Sequence, residues 1–316
     1  MRVVATLTTL PGRYDKLVQT LQSLHRQTHP LDAIYLTIPP RIERLNITFP
    51  PLPSSITTQC TVVSVPHDYG PLTKLLGALT REEDPDTFIV SVDDDIIYPP
   101  DMVEKLLANS AHHPGSVTTV GGYSFNGSFC HLTLYQNKFP WINGFTFPHL
   151  PITGRRIEQV YGFSGVLYQR SHLADYQEWV TLAQSDRDLF LNDDVVISGG
   201  LARRKIDIYT YPNFTPCVEQ NETRDGNELS YVPTRMYLSM QRAYRRIYQW
   251  GFAHHPLPPP SFTDSPFGFV VALIILLLVI MIAIAVTWYI THYLPPVPAS
   301  PSSALPPPLR SRVPAS

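Results

Sequence analysis

The stretch from Thr87 to Pro100 reads TFIVSVDDDIIYPP, and it decides how the rest of the sequence is interpreted. Its first part, Thr87 to Val92, is rich in β-branched and aromatic residues, which predicts a buried strand. Three carboxylates, Asp93 to Asp95, follow directly, and like charges clustered at the end of a buried strand require compensation. Lysine or arginine, water at a loop, or a divalent cation would each provide it, and the stretch alone leaves these three open.

The chain around this stretch alternates between predicted strands and predicted helices. The predicted strands are Arg2–Leu7, Ala33–Ile38, Thr61–Val65 and Thr87–Val92, and the predicted helices are Tyr14–Thr28, one after Pro71 and one opened by Pro100 and Asp101. Repeated strand-helix-strand units predict an α/β fold, with an open, mostly parallel sheet and helices on both faces. Such sheets bind ligands outside the carboxyl ends of their strands, and the three acids lie at such an end.

The spacing of the acids favours a metal over the other forms of compensation. Asp93 and Asp95 are two residues apart where the chain leaves the strand, so both side chains are predicted to point to the same side. Carboxylate oxygens suit a hard cation such as Mg²⁺ or Mn²⁺, which keeps coordination positions for phosphate oxygens. A solvated acidic turn or a helix N-cap is the alternative interpretation of the three acids.

Composition limits the partners and the compartment. The chain has 24 Lys and Arg against 26 Asp and Glu, so charge gives no argument for nucleic acid as a partner. Three cysteines at no metal-ligand spacing agree with a reducing compartment. Four glycosylation sequons begin at Asn46, Asn126, Asn213 and Asn221, and they would be used only in a lumenal protein. We expect a cytosolic body rather than a lumenal one.

A second unit is predicted near the C-terminus. Residues 267–290 contain no charged residue, and at about 1.5 Å per residue such a helix crosses a hydrocarbon core of about 30 Å. They therefore predict one transmembrane helix that anchors the chain as a single-pass membrane protein. Residues 251–266 are predicted to be a Pro-rich linker and residues 291–316 a disordered tail rich in Pro and Ser.

Two segments of the folded body resemble the glycosyltransferases of the GT-A fold, most closely the large inverting family two. SVDDDIIYPPDMVEKLL, at 91–107, resembles the DxD segment of that family. Val4 to Arg13, followed by the helix LVQTLQSLHRQ, is similar to its first strand and nucleotide-binding loop. The resemblance covers roughly residues 3–212 and implies a Rossmann-like catalytic domain over residues 1–250. It implies nucleotide contacts from Thr6, Thr8, Arg13, Asp93 and Asp94, and metal contacts from Asp93 and Asp95.

A third similar segment is DYGPLTKL, from Asp68 to Leu75. Members of the family place an acidic or amide residue, a glycine and a basic residue near the nucleotide at this point. Gly70 would let the backbone approach a ligand, and Lys74 would add a positive charge beside a helix N-terminus. The resemblance implies base or diphosphate contacts from Asp68 and Lys74, while a helix start with an exposed lysine is the alternative.

A fourth segment, FLNDDVVIS from Phe190 to Ser198, matches the position of an acidic pair in inverting members. The resemblance implies that Asp194 is the catalytic base and that Asp193 occupies the place of the neighbouring acid. An acceptor hydroxyl is a weak nucleophile, so the chemistry requires such a group. A helix N-cap is the alternative role for the pair.

The acceptor side is predicted from two further segments. VYGFSGVLY, from Val160 to Tyr168, resembles the glycine-containing strand that lines the acceptor site in the family, and a bulge in an ordinary strand is the alternative. Trp141 is a predicted stacking platform for a sugar ring, and a residue that only fills the core is the alternative. The QxxRW segment of processive synthases is not recognisable, since Arg242 to Trp250 reads RAYRRIYQW, so we expect one sugar per encounter.

Together these features predict a membrane-anchored, hexosyltransferase-like glycosyltransferase. It would move one sugar from a nucleotide-diphosphate sugar, UDP-sugar being the favoured donor, to a hydroxyl of a glycan, protein or lipid. Inversion and assistance by Mn²⁺ or Mg²⁺ are expected. The alternatives are a retaining transferase or a nucleotidyltransferase on the same fold, or a catalytically silent membrane adaptor that acts through its Pro-rich tail.

Overall fold

The computed structural model describes residues 1–125, 132–136, 154–215, 217–220, 233–255, 274 and 277–288, with only the backbone described at 44, 125, 132–136, 219 and 233–237. Residues 1–259 and residues 260–316 form two separate units. Trp141, the sequons at Asn126 and Asn221, the tail and most of the linker lie outside the described residues.

The first unit contains the following helices and strands. Helices α1 to α8 are Tyr14–His25, Ser54–Thr57, Thr73–Arg81, Met102–Ser110, Tyr176–Gln184, Arg187–Phe190, Asp193–Arg203 and Pro233–Ile247. Strands β1 to β8 are Val3–Thr8, Ala33–Ile38, Arg41–Ile42, Ile47–Thr48, Thr61–Ser64, Phe88–Ser91, Ile96–Ile97 and Val117–Thr119. Strands β9 to β15 are Gly121–Phe125, Leu132–Gln136, Arg155–Ile157, Gln159–Val160, Val166–Gln169, Ile208–Thr210 and Val218–Glu219.

An eight-stranded sheet forms the centre of this unit, in the order β11-β14-β8-β13-β6-β1-β2-β5. Strands β5, β2, β1 and β6 are parallel, and so are β8 and β14. Strand β13 runs antiparallel between β6 and β8, and β11 runs antiparallel to β14 at the edge. The prediction of an α/β fold with a mostly parallel sheet is confirmed.

Helices cover both faces of the sheet, because neighbouring residues of its central strands point into two separate cores. Val4 of β1 belongs to one core together with Leu75 of α3 and Val195 of α7. Val3 and Ala5 of the same strand belong to the other core, which contains the buried residues of α1 and α4. A strand buried on both faces reads as a continuous apolar run, which is why VVATL was recognisable in the sequence.

Two predicted elements differ from the observed ones. Helix α1 ends at His25 rather than Thr28, and the Gln27 side chain donates to the Pro99 carbonyl. The predicted strand Val160–Tyr168 is wrong as a single element, since a 3₁₀ turn at Gly162–Ser164 separates β12 from β13. Gly165 has φ +104°, a conformation that ends the turn and that glycine adopts without a steric penalty.

The second unit is described at residues 274 and 277–288. Residues 277–288 are helical, and their apolar side chains are exposed. The part of the chain that the structure describes contains no helix with both the length and the hydropathy needed to cross a bilayer. The predicted span, 267–290, extends beyond those residues at both ends.

Candidate active site

Four segments that are distant in sequence meet at the carboxyl edge of the parallel strands. They are the loop after β1, the start of α3, the residues after β6 and the start of α7. Each brings charged side chains to the same place, as the ion pairs between the segments show. We call this group the carboxyl-edge cluster, and its members are Arg13, Lys74, Asp93, Asp94, Asp95, Asp193 and Asp194.

Lys74 joins the two acidic segments of the cluster. Its Nζ lies 2.7 Å from Asp93 Oδ1 and 3.0 Å from Asp193 Oδ2. The alternative of an exposed lysine at a helix start is wrong, since Lys74 is only 4% exposed. Burial alone would lower the pKa of the Lys74 ammonium, but Asp193, Asp93 and Asp194 together raise it well above its ordinary value. Lys74 is therefore a buried, fully charged link between the end of β6 and the start of α7.

Arg13 compensates the other two acids of the triplet. Its Nη1 lies 3.1 Å from Asp94 Oδ1 and 3.5 Å from Asp95 Oδ2, and the Thr9 hydroxyl also donates to Asp94. The sequence predicted that Asp93 and Asp95 point to the same side. In the structure Asp94 and Asp95 share Arg13, whereas Asp93 contacts Lys74. Of the three forms of compensation that the sequence left open, the structure contains the basic side chains.

Hydrogen bonds from several elements hold the main chain of the triplet. The Thr20 hydroxyl of α1 lies 2.9 Å from the carbonyls of Asp94 and Ile96, and the Gln220 amide donates to the Asp95 carbonyl at 3.0 Å. The Tyr98 hydroxyl accepts from the Asp93 amide. Sequence reasoning missed these residues, and the only available signal was that Tyr98 closely follows the triplet.

Asp193 and Asp194 occupy the first turn of α7, as predicted, but neither is its N-cap, because Asn192 takes that position. Asp194 Oδ2 accepts a hydrogen bond from the Gly162 amide at 3.0 Å, across from the 3₁₀ turn. A Cβ at position 162 would collide with Asp194 Oδ1. Glycine at this position therefore permits the close approach between the turn and the carboxylate.

The cluster contains more negative than positive charge. Burial, with Asp193 adding to it, raises the pKa of Asp194 to about 8 in spite of Lys74. Burial, with Asp94 and Asp93 adding to it, raises the pKa of Asp95 to about 7. Both shifts follow from desolvation and like charge, and carboxylates with such shifts are typical of functional sites.

Three other predicted nucleotide ligands bind the protein's own main chain. The fully buried Thr6 hydroxyl donates to the Lys74 carbonyl, and the Thr8 hydroxyl donates to the Thr37 carbonyl at 2.8 Å. Asp68 accepts from the Gly70 amide at 2.8 Å and from the Glu43 amide at 3.0 Å. These contacts position the loops of the carboxyl edge, and the predicted contacts with a nucleotide stay predictions.

Gly70 has a packing role that the sequence did not indicate. Its φ is +63°, and a Cβ there would lie 2.5 Å from the Phe190 carbonyl at the end of α6. The glycine predicted to approach a ligand therefore approaches α6, which directly precedes the acidic pair in the chain. Gly70 thus brings the loop before α3 against the segment that leads into α7.

Asp93 and Asp95 are the residues that fit a divalent cation best. Their side chains are 34% and 26% exposed, and both offer the oxygen ligands that Mg²⁺ and Mn²⁺ prefer. Across the described residues, no group of three or more His, Cys, Asp or Glu side chains is placed to hold a metal ion. Either carboxylate therefore suits a cation that takes one or two carboxylates and completes its coordination with water and substrate phosphates.

Comparisons with known proteins give structural likeness only. No protein-family model matches the chain, and no curated protein matches it. Similar solved structures include S. aureus TarS 1–349 in complex with UDP-GlcNAc, at 14% identity and a TM-score of 0.48, covering 82% of this chain and 68% of that chain. A second crystal structure of S. aureus TarS 1–349 has 15% identity and a TM-score of 0.42, and the complex of that fragment with UDP has 14% identity and a TM-score of 0.38. Both cover 69% of this chain and 60% of that chain. The resemblance to family two therefore rests on the order and spacing of the sequence motifs.

Proposed function

We propose that this chain is a glycosyltransferase of the GT-A fold that moves one sugar from a nucleotide-diphosphate sugar to an acceptor hydroxyl. The observation that carries the proposal is the double contact of Lys74, which joins Asp93 at the end of β6 to Asp193 at the start of α7. A donor-side acid and the candidate base beside Asp193 thereby lie at the same edge of the sheet. Open α/β sheets bind their ligands at that edge.

Asp194 is the proposed base. It accepts the proton of the acceptor hydroxyl as that oxygen bonds to the anomeric carbon, and the bond from that carbon to the diphosphate breaks with its electron pair on the diphosphate. Attack from the face opposite the leaving group inverts the anomeric centre. The pKa of about 8 places Asp194 close to a working pH, where a general base is most effective.

Asp93 and Asp95 are the proposed ligands of Mn²⁺ or Mg²⁺, and we propose a UDP-sugar as the donor. When bound, the cation would neutralise negative charge on the diphosphate. Arg13 contacts Asp94 and Asp95, and Lys74 contacts Asp93. The excess of carboxylates in the cluster supports a cationic ligand, since it would lower the cost of charging Asp95.

Membrane anchoring through residues 267–290 is part of the proposal, with the body on the cytosolic side. The uncharged run in the sequence supports it, and so do the exposed apolar side chains of residues 277–288. An anchor would place the site near an acceptor at a membrane surface. A glycan, a protein and a lipid all remain acceptor classes under this proposal.

The proposal is tested by turnover of UDP-sugars by the full-length chain in detergent, with Mn²⁺ or with EDTA. Acceptor panels contain free sugars, hydroxyl-bearing peptides and lipid alcohols. We expect turnover with Mn²⁺, and a loss of at least about tenfold, or about 1.4 kcal/mol, in EDTA and in Asp95→Asn. Asp86→Asn is the matched control, because Asp86 is exposed and lies away from the cluster.

Each outcome of that experiment addresses a different part of the proposal. Absence of turnover and binding for every donor contradicts the enzymatic function and favours the adaptor alternative. Full activity in EDTA and in Asp95→Asn contradicts only the metal. NMR of the product gives the anomeric configuration, and retention would contradict the role of Asp194 as the base of an inverting reaction.

A further inference from the structure

Tyr98 lies between the two halves of the proposed active site and has no role in the mechanism above. We propose that Tyr98 is a positioning residue whose hydroxyl fixes the distance between Asp93 on the donor side and the turn that holds Asp194. The inference rests on the proposed function and assigns a further residue to the same site. It depends on three hydrogen bonds and on burial.

The three hydrogen bonds connect the two acids without a gap in the structure. The Tyr98 hydroxyl accepts from the Asp93 amide at 2.9 Å and donates to the Phe163 carbonyl at 2.7 Å. Phe163 directly follows Gly162, whose amide donates to Asp194 Oδ2 at 3.0 Å. The path from the Asp93 main chain to the Asp194 carboxylate therefore passes through the Tyr98 hydroxyl and the main chain of Phe163 and Gly162.

Tyr98 is suited to this role because it is rigid. Its side chain is 2% exposed, and the Ser23 hydroxyl accepts from its own amide at 3.1 Å. An ordinary phenol keeps its proton at neutral pH, so the group continues to donate to the Phe163 carbonyl. Both of its hydrogen bonds go to main-chain atoms, which cannot turn away as a side chain can.

Lys74 makes the other link between the two sides, and its properties differ. An ammonium on a flexible four-carbon stem attracts Asp93 and Asp193 but imposes little direction on either. The buried phenol, in contrast, fixes both distance and direction through hydrogen-bond geometry. Lys74 therefore supplies charge balance between the segments, and Tyr98 supplies their spacing.

Loss of the hydroxyl should affect transfer to an acceptor more than hydrolysis of the donor. A displacement of about 1 Å between reacting groups lowers a rate by about 100-fold when the reactants are held in place. An acceptor is held by its own contacts and cannot follow a displaced base. Water is small and is not held in this way, so it can occupy a new position between donor and base.

The experiment compares Tyr98→Phe with Tyr35→Phe in the full-length chain. Tyr35 is a matched control, since its hydroxyl is also buried and donates to Glu82 at 2.6 Å, at the opposite edge of the sheet. The measurements are kcat for transfer, the rate of donor hydrolysis, KM for the donor and Tm. Hydrogen exchange of the Asp93 amide is a readout that needs no catalysis.

We expect Tyr98→Phe to lower the kcat of transfer by about 10-fold to 100-fold, with a much smaller loss of hydrolysis and an unchanged donor KM. Its Asp93 amide should exchange faster than in the wild type. Tyr35→Phe should lower Tm but keep the wild-type ratio of transfer to hydrolysis. This pattern separates positioning from a general loss of stability.

Three results would overturn the inference. A wild-type ratio in Tyr98→Phe overturns it and leaves the proposed function intact. An Asp93 amide that exchanges as fast as an exposed turn amide in the wild type also overturns it, and this holds even if the variant does not fold. A wild-type chain that transfers no sugar from any donor overturns both the proposed function and the role of Tyr98.

Discussion

Two ionic groups at opposite edges of the same sheet have carboxylates whose pKa values shift in opposite directions. At the amino edge, Arg2 contacts Glu82 at 2.7 and 2.8 Å, and Tyr35 donates to the same carboxylate. The Arg2 contact lowers the pKa of Glu82 in spite of burial. At the carboxyl edge, burial and like charge raise the pKa of Asp95 to about 7 and that of Asp194 to about 8.

The difference lies in charge balance rather than in residue type. Glu82 has a cation and a phenol to itself, and the result is a satisfied structural pair. The carboxyl-edge cluster contains five carboxylates and two cations, Arg13 and Lys74, with Lys16 at a greater distance. Among these described side chains, the carboxylates outnumber the cations. A protein stabilises a balanced pair by itself, whereas an excess of buried carboxylates favours a proton or a cationic ligand.

The largest expected effect concerns activity. Asp194→Asn should lower the transfer rate by about 10²-fold to 10⁴-fold, because it removes the general base and keeps the shape of the side chain. Asp86→Asn should keep the wild-type rate. Initial rates at saturating donor measure both. Equal rates in Asp194→Asn and the wild type would remove the functional distinction between the two edges.

The next effect concerns stability. Lys74→Met should lower the free energy of unfolding by about 3–5 kcal/mol, since it leaves Asp93 and Asp193 without their buried partner. Arg2→Met should cost about 1 kcal/mol, because the Arg2 side chain is 43% exposed and water can replace it. Chemical denaturation of both variants provides the comparison. Similar losses of unfolding free energy in the two variants would show that the buried charges at the two edges contribute equally to stability.

A third prediction is the pH dependence of the reaction. A base must be unprotonated, and the pKa of Asp194 is about 8 in the ligand-free protein. The value of kcat/KM should therefore rise with pH and level off above about pH 8, being about 100-fold below the plateau at pH 6. A profile already flat from pH 5 would indicate that Asp194 is ionised as readily as Glu82.

The smallest expected effect concerns Tm. The difference in Tm between variant and wild type should change with pH in opposite directions for Asp95→Asn and Glu82→Gln. The pKa of Asp95 rises from 3.8 to about 7 on folding, so its contribution to stability is present below about pH 4 and is lost as the pH rises to 7. The gain in Tm of Asp95→Asn over the wild type should therefore grow by at least about 3 °C between pH 4 and pH 8.

Glu82→Gln is the control for that measurement. The folded pKa of Glu82 is lowered from 4.5, so its contribution is present above that pH and is lost as the pH falls. The loss of Tm in Glu82→Gln should be larger at pH 7 than at pH 3. The comparison fails if the two variants change with pH in the same direction.

The sequence predicted the elements that local patterns determine. Buried parallel strands are apolar along their whole length. The predicted ends of β1, β2, β5 and β6 therefore lie within one residue of the observed ends. The start of α7 was expected from the resemblance, which implied an acidic pair at a helix start, and Asp193 and Asp194 do lie in the first turn of that helix. The turn in the glycine segment at 160–168 was not predicted, since the φ of Gly165 comes from the packing of the turn and not from the local sequence.

The site shows the same division between local pattern and tertiary contact. The sequence by itself determined which carboxylates follow β6 and that they lie at the edge of a sheet where ligands bind, while the acids that open α7 were expected from the resemblance. Only the tertiary structure decided that Lys74 is buried between them, that Arg13 takes Asp94 and Asp95, and that Tyr98 spans the gap to the turn holding Asp194. The physical reason is that strand and helix patterns follow from neighbouring residues, whereas the partner of a buried charge depends on which distant segments folding brings within about 3 Å of it.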